Sequence, residues 1–141
     1  QQGMKYSSWE QDIKDKIMPL LYEDLTDKII EASFDVMNEL GVGFLESVYE
    51  KALAVTLRER GLKVITQAPL TVTFHGQVIG QYFADLLVED VVIVELKVVR
   101  VLLPEHSAQV INYLKATGIE VALLLNFGKG KIDIRRLHRE F

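Results

Sequence analysis

The chain is 141 residues long, 49% hydrophobic and 26% charged, with no cysteine and a formal net charge of −4. That length suits one domain able to bury a real core, and the lack of cysteine excludes disulfides and thiolate metal sites. No apolar run approaches a membrane span and the first residues lack a secretory pattern, so a soluble cytoplasmic protein is expected. The mild acidity argues against a general nucleic-acid coat protein. The charge is uneven: residues 1–60 hold 7 Lys/Arg against 12 Asp/Glu, and residues 104–141 hold 6 against 4. Phosphate contacts are therefore better sought in the C-terminal third.

Residues 1–22 are weakly periodic and contain Pro19, a helix breaker, and they read as an N-terminal tail or short helix ahead of a single domain over 23–141. From residue 25, Ile29, Ile30, Phe34, Met37 and Leu40 fall at helical spacing, with Thr26 as N-cap and Gly41 as stop signal. A second helix is predicted from about residue 45 to Gly61, with Val48, Tyr49, Ala52, Leu53, Val55 and Leu57 as its apolar positions. Glu46 falls in its first turn, where an acid complements the helix dipole whatever else it does. Gly43, just ahead, serves backbone geometry.

Residues 63–74 predict a strand with Pro69 inside it, hence an edge strand or one broken by a bulge. His75-Gly76 supplies a turn, with His75 a solvated loop residue, and residues 77–88 and 91–99 complete an antiparallel meander. Pro104 opens a third helix that Gly118 closes. On it His106, Gln109 and Tyr113 share one face, a pattern that a polar stripe at a helix–sheet boundary also produces. Residues 121–126 form a short apolar strand, Phe127-Gly128-Lys129-Gly130 a turn, and residues 132–137 a last strand. Lys129, Lys131, Arg135, Arg136 and Arg139 make the C-terminus basic, as solvated edges that discourage strand pairing often are. The order ααβββαββ defines an α/β domain with a mixed central sheet flanked by helices. Strands 91–99 and 121–126, joined through a helix, are expected to be parallel neighbours.

Within residues 82–99, three charges interrupt apolar runs where a buried strand carries none: Asp85, Glu95 and Lys97. Glu95 and Lys97 stand two apart and so project from one side of their strand. Such charges are costly unless paired or bound to a metal, and two carboxylates beside an ammonium can seat a divalent cation and an activated water. A buried ion pair with Lys97 and no metal is the structural alternative. Strand parity sets a condition. A two-residue turn at Glu89-Asp90 throws Asp85 and Glu95 onto opposite faces, whereas an odd loop, with Val88 opposite Val92, or a β-bulge, brings them together.

The order Asp85, then Glu95-Leu96-Lys97, resembles the PD-(D/E)xK nuclease core. Upstream, Gly43-Phe44-Leu45-Glu46-Ser47-Val48-Tyr49 matches the GxxExxY signature of a small family assigned to that superfamily, and Gln109 to Tyr113 matches the QxxxY element of its RecB-like members. Ala84 stands where the superfamily name has proline. The resemblance implies a restriction-endonuclease-like fold and metal-dependent hydrolysis of a phosphodiester in DNA, with RNA as a second candidate substrate and Mg²⁺ or Mn²⁺ as cofactor. It implies that Asp85, Glu95 and the Leu96 carbonyl ligate the ion, that Glu46 adds a further acid to the metal site, and that Lys97 positions or deprotonates the attacking water. Gln109 and Tyr113 would orient Lys97 or a nearby phosphate. No separate recognition domain is visible, so specificity is expected to be low or supplied by a partner protein; the oligomeric state is open, and cutting two strands would favour a homodimer. The alternative is a non-catalytic nucleic-acid- or protein-binding module that keeps the fold.

Overall fold

The computed structural model describes residues 7–10, 12 and 21–139. Most of the expected N-terminal tail or short helix, Pro19 included, lies outside them; residues 8–10 are helical. Helix α1, Glu23–Leu40, starts three residues before Thr26. Thr26 is not its cap: it is buried inside the first turn, where its hydroxyl donates to the Glu23 carbonyl at 3.1 Å. Glu23 and Asp24, acids that suit the positive end of the dipole, occupy that turn instead. Gly41 stops the helix as expected, taking φ 71° and donating to the Met37 carbonyl at 2.8 Å.

Helix α2, Glu46–Glu59, follows the short loop at residues 41–45. In that loop Gly43 has φ 105°, a conformation open to glycine and strained for any side chain. Tyr49 anchors the loop from the core: its hydroxyl donates to the Gly41 carbonyl, and its ring stacks on Phe127 at 4.8 Å. The spacing of Gly43, Glu46 and Tyr49 therefore has a mechanical reason, since the glycine turns the chain and the tyrosine pins the helix start that carries the acid.

Five strands form one sheet in the order β1-β2-β3-β4-β5: β1 Val64–Phe74, β2 Gln77–Val88, β3 Val92–Lys97, β4 Val121–Asn126 and β5 Asp133–His138. Only β3 and β4 run parallel, linked by helix α3, Pro104–Thr117; the other pairs are antiparallel. Pro69 thus sits on an edge strand, as its missing amide requires, and the β1–β2 ladder also carries a register shift at Val72/Thr73. This is the mixed sheet flanked by helices that the element order predicts.

Each face of the sheet has its own core. Leu86, Val88, Val92, Val94, Leu96, Leu123 and Leu125 pack against α1 and α2, while Ile93, Ala122 and Leu124 pack under α3 with Val110 and Leu114. In β3 and β4 the two sets alternate strictly, as the pleat dictates. In the hairpin they do not. Val64 of β1 and Leu86 of β2 belong to the first core, yet Ala68 and Ala84, an even number of residues away, belong to the second. The hairpin changes faces at the row between them, which holds Gln67 and Asp85. Gln67 takes φ 49°, a left-handed conformation that breaks the alternation of an extended strand.

Candidate active site

The hairpin meets the parity condition. Val88 pairs with Val92 across the odd loop Glu89-Asp90-Val91, followed by Leu87 with Ile93 and Leu86 with Val94. Glu89 and Asp90 adopt φ of 52° and 61°; Glu89 accepts the Lys63 amide and Asp90 pairs with the Lys63 ammonium at 2.8 Å, which holds the loop. One step further, where Asp85 comes level with Glu95, the main-chain ladder stops and side chains take it over. The Asp85 amide donates to Glu95 Oε2 at 2.6 Å, and the Leu96 amide donates to Asp85 Oδ2 at 2.8 Å. Each carboxylate is thereby fixed by the neighbouring strand through one oxygen.

Two acids reach this row from α2. Glu46 and Glu50 lie one helical turn apart, so they share a face of the helix. Glu50 is buried and accepts from the Gln67 amide at 2.9 Å; the same amide reaches Asp85 Oδ1 at 3.4 Å. Burial followed by the Asp85 charge pushes the Glu95 carboxyl up to about 8. The same two causes raise Glu46, where Lys97 opposes them. Burial raises Glu50, against the stabilising Gln67 hydrogen bond. Lys97 is the ammonium that opposes these shifts at Glu46 and Glu95.

Lys97 ends β3, and its main chain is held on both sides. The Lys97 carbonyl accepts from Phe127 N–H at 2.8 Å. Asn126, fully buried and paired with Lys97 in the register, accepts from the Val99 and Gly128 amides at 3.0 Å each and donates to the Val99 carbonyl at 2.8 Å. Gly128 is required beside it, because a Cβ there would stand 2.3 Å from the Val99 carbonyl oxygen.

From the opposite layer, α3 places Tyr113 nearly buried, 8% exposed, with its hydroxyl raised by burial and by the charges of Glu95 and Asp85. Gln109, one turn earlier, is exposed and makes no side-chain hydrogen bond to Lys97 among the described residues. It lines a groove with Tyr113 instead. His106 accepts the Leu103 amide at 3.0 Å through Nδ1 and so caps its helix. His75 is exposed in its turn, stacked on Phe74 at 4.0 Å. In the basic C-terminus, Arg136 bonds Thr26 and the Leu21 carbonyl and Arg139 pairs with Glu120, so these two arginines brace the fold, while Arg135 pairs with Asp133 two residues away on its own strand.

Reasoning from sequence missed Glu50, Gln67 and Asn126. Glu50 carried a signal in its one-turn spacing from Glu46; Gln67 and Asn126 carried none, since their roles depend on a backbone kink and a parallel neighbour.

The donors fit a hard divalent cation. All are oxygens, and crowded carboxylates of raised pKa are what a cation between them would relieve. Among the described residues no three His, Asp or Glu side chains form a ready-made cage. A divalent cation that keeps several of its waters needs only one or two protein carboxylates.

A mixed sheet between helical layers, with two interlocked carboxylates and a lysine on its central strands, defines a chain built on a nuclease-type α/β core. A family model for the PD-(D/E)XK nuclease superfamily matches residues 23–137, and the chain belongs to that superfamily. Comparisons with curated proteins and with solved structures give no match. Among the described residues no helix is long and apolar enough to cross a membrane.

Proposed function

We propose that this protein is a metal-dependent phosphodiesterase that cuts DNA, using Mg²⁺ or Mn²⁺. Within its superfamily it resembles the GxxExxY group through Gly43, Glu46 and Tyr49. The observation that carries the reading is the bonding of Asp85 and Glu95 to each other's strands, which sets two carboxylates level with one another, with Lys97 two residues further along β3. When bound, the cation supplies Lewis-acid polarisation of the scissile phosphate and a more acidic water. Asp85, Glu95 and the Leu96 carbonyl would hold it, and Glu46 would add a further acid.

Lys97 orients the attacking water or accepts its proton, and its ammonium offsets the charge that builds on the phosphoryl oxygens. The water oxygen bonds to phosphorus as the bond to the leaving sugar oxygen breaks, and that oxygen takes a proton from solvent. Tyr113 orients the phosphate from the α3 side, and Gln109 assists once substrate fills the groove. The test is nicking of supercoiled plasmid with Mg²⁺ or Mn²⁺, against a chelator and the Asp85→Asn variant. Cation-dependent nicking lost in the variant supports the reading. Tight metal binding without cleavage of duplex, single-stranded or RNA substrates would assign the fold to a binding module.

A further inference from the structure

Beside the carboxylate row, the β1–β2 hairpin runs on alone. β2 pairs with β3 only through residues 86–88, so its stretch from Gln77 to Ala84 projects past the central sheet. Between this projection and α3 lies an open groove of about 690 Å³, large enough for a nucleotide-sized ligand. Its inner wall is Tyr113, which packs in one core cluster with Ala84, the residue before Asp85, so the groove lies beside the carboxylate row on its α3 side. Beside it lies Tyr82, 47% exposed, its ring centroid 5.6 Å from that of Tyr113 and the planes tilted by 42°, so the two rings touch and present one exposed aromatic face to the groove.

The remaining polar lining points to a base rather than a phosphate. Gln109 and Asn112 offer two primary amides, able to donate and accept at a base edge, and the charged pair Glu105 and Lys115 is balanced. A groove for phosphate backbone would carry an excess of Arg and Lys. Two aromatic rings with uncharged amides match the stacking face and polar edge of a nucleobase. A base within a continuous duplex shows no free face, so only an unpaired one can enter.

We infer that the Tyr82–Tyr113 groove holds an unpaired nucleobase next to the scissile phosphate, so that the substrate is single-stranded or branched DNA rather than continuous duplex. This rests on the nuclease reading for the meaning of "scissile", but the groove can be tested without cleavage. A short DNA strand containing 2-aminopurine is titrated with the Asp85→Asn protein, and fluorescence reports stacking. Quenching that saturates is expected. Tyr82→Phe in that background should retain it, and Tyr82→Ala should weaken binding by about tenfold, the scale of one base–aromatic stack. A blunt duplex carrying the same base should bind more weakly.

Equal affinity for blunt duplex and single strand, or equal affinity of the Tyr82→Ala and Tyr82→Phe proteins, would overturn the inference, even if the wild-type protein nicks plasmid. Conversely, saturable quenching lost in Tyr82→Ala would uphold the groove even if no DNA is cleaved, and the nuclease reading alone would then fall. Circular dichroism of each variant separates a lost contact from a lost fold.

Discussion

Asp85 and Glu95 are interlocked: the amide of the first donates to the carboxylate of the second at 2.6 Å, and the carboxylate of the first takes the amide after the second, that of Leu96, at 2.8 Å. Each carboxylate is held by a main-chain amide of the opposite strand, so replacing one acid orphans an amide and leaves the other acid's hydrogen bond in place. Asp85→Ala and Glu95→Ala are each expected to abolish Mn²⁺ binding by calorimetry and all plasmid nicking. Lys97→Ala should keep the metal and lose turnover, because it removes a proton-handling group and not a ligand. Normal turnover in the lysine variant would sink the assignment.

The crowded acids make the metal-free protein sensitive to pH. Glu95 holds its proton in the fold up to about pH 8 but releases it near 4.5 when unfolded. Between those values the folded state binds more protons, so this contribution is fully present below 4.5 and is lost as pH rises through 8. The raised carboxyls of Glu46 and Glu50 act with the same sign. Glu95→Gln, which still accepts from Asp85, should therefore flatten the pH dependence and stabilise the chelated protein at pH 9 by about 1–3 kcal/mol; Asp85→Asn should be neutral or stabilising. Urea melts at pH 5, 7 and 9 in chelator would show it. A loss beyond roughly 2 kcal/mol would mark a structural ion pair instead.

Gln67 combines two features in one residue, a left-handed backbone and the side-chain amide that donates to the buried Glu50. Gln67→Ala keeps the strain and strips the acid of its donor, with an expected loss of about 1–2 kcal/mol. Gln67→Gly loses the same donor but adopts φ 49° freely, so it should recover about 1 kcal/mol of that. Equal denaturation midpoints for the two variants would show that the kink stores no strain.

The clamp behind Lys97 should be as sensitive as the acids in front of it. Asn126→Leu fills the same space but orphans the Val99 amide and carbonyl and the Gly128 amide, at a cost of about 2–4 kcal/mol. Gly128→Ala drives a methyl into the Val99 backbone, which cannot retreat as a flexible side chain would. Both should lower the melting temperature by several degrees and cut turnover more than metal affinity, since they loosen Lys97 and leave the carboxylates in place. Unchanged turnover in a folded Asn126→Leu protein would show that Lys97 needs no such support.

The element order and the parallel pairing of β3 with β4 were legible in the sequence, and the edge position of the Pro69 strand and the odd hairpin loop were each one of two alternatives, a bulge being the other. They follow from periodicity, turn chemistry, crossover length and parity, which act over a few residues at a time. Asp85, Glu95 and Lys97 stood out for the same local reason, as charges in apolar strands. Tertiary structure alone decided the rest. The face change at Gln67 needs a backbone angle that no residue type announces. Glu50 looked like one more polar helix residue until packing turned it inward, and Asn126 became a clamp only because a parallel strand set it beside Lys97. The arginines at 136 and 139 looked available for phosphate, and the fold engages them with Thr26 and Glu120, partners that only chain closure brings near.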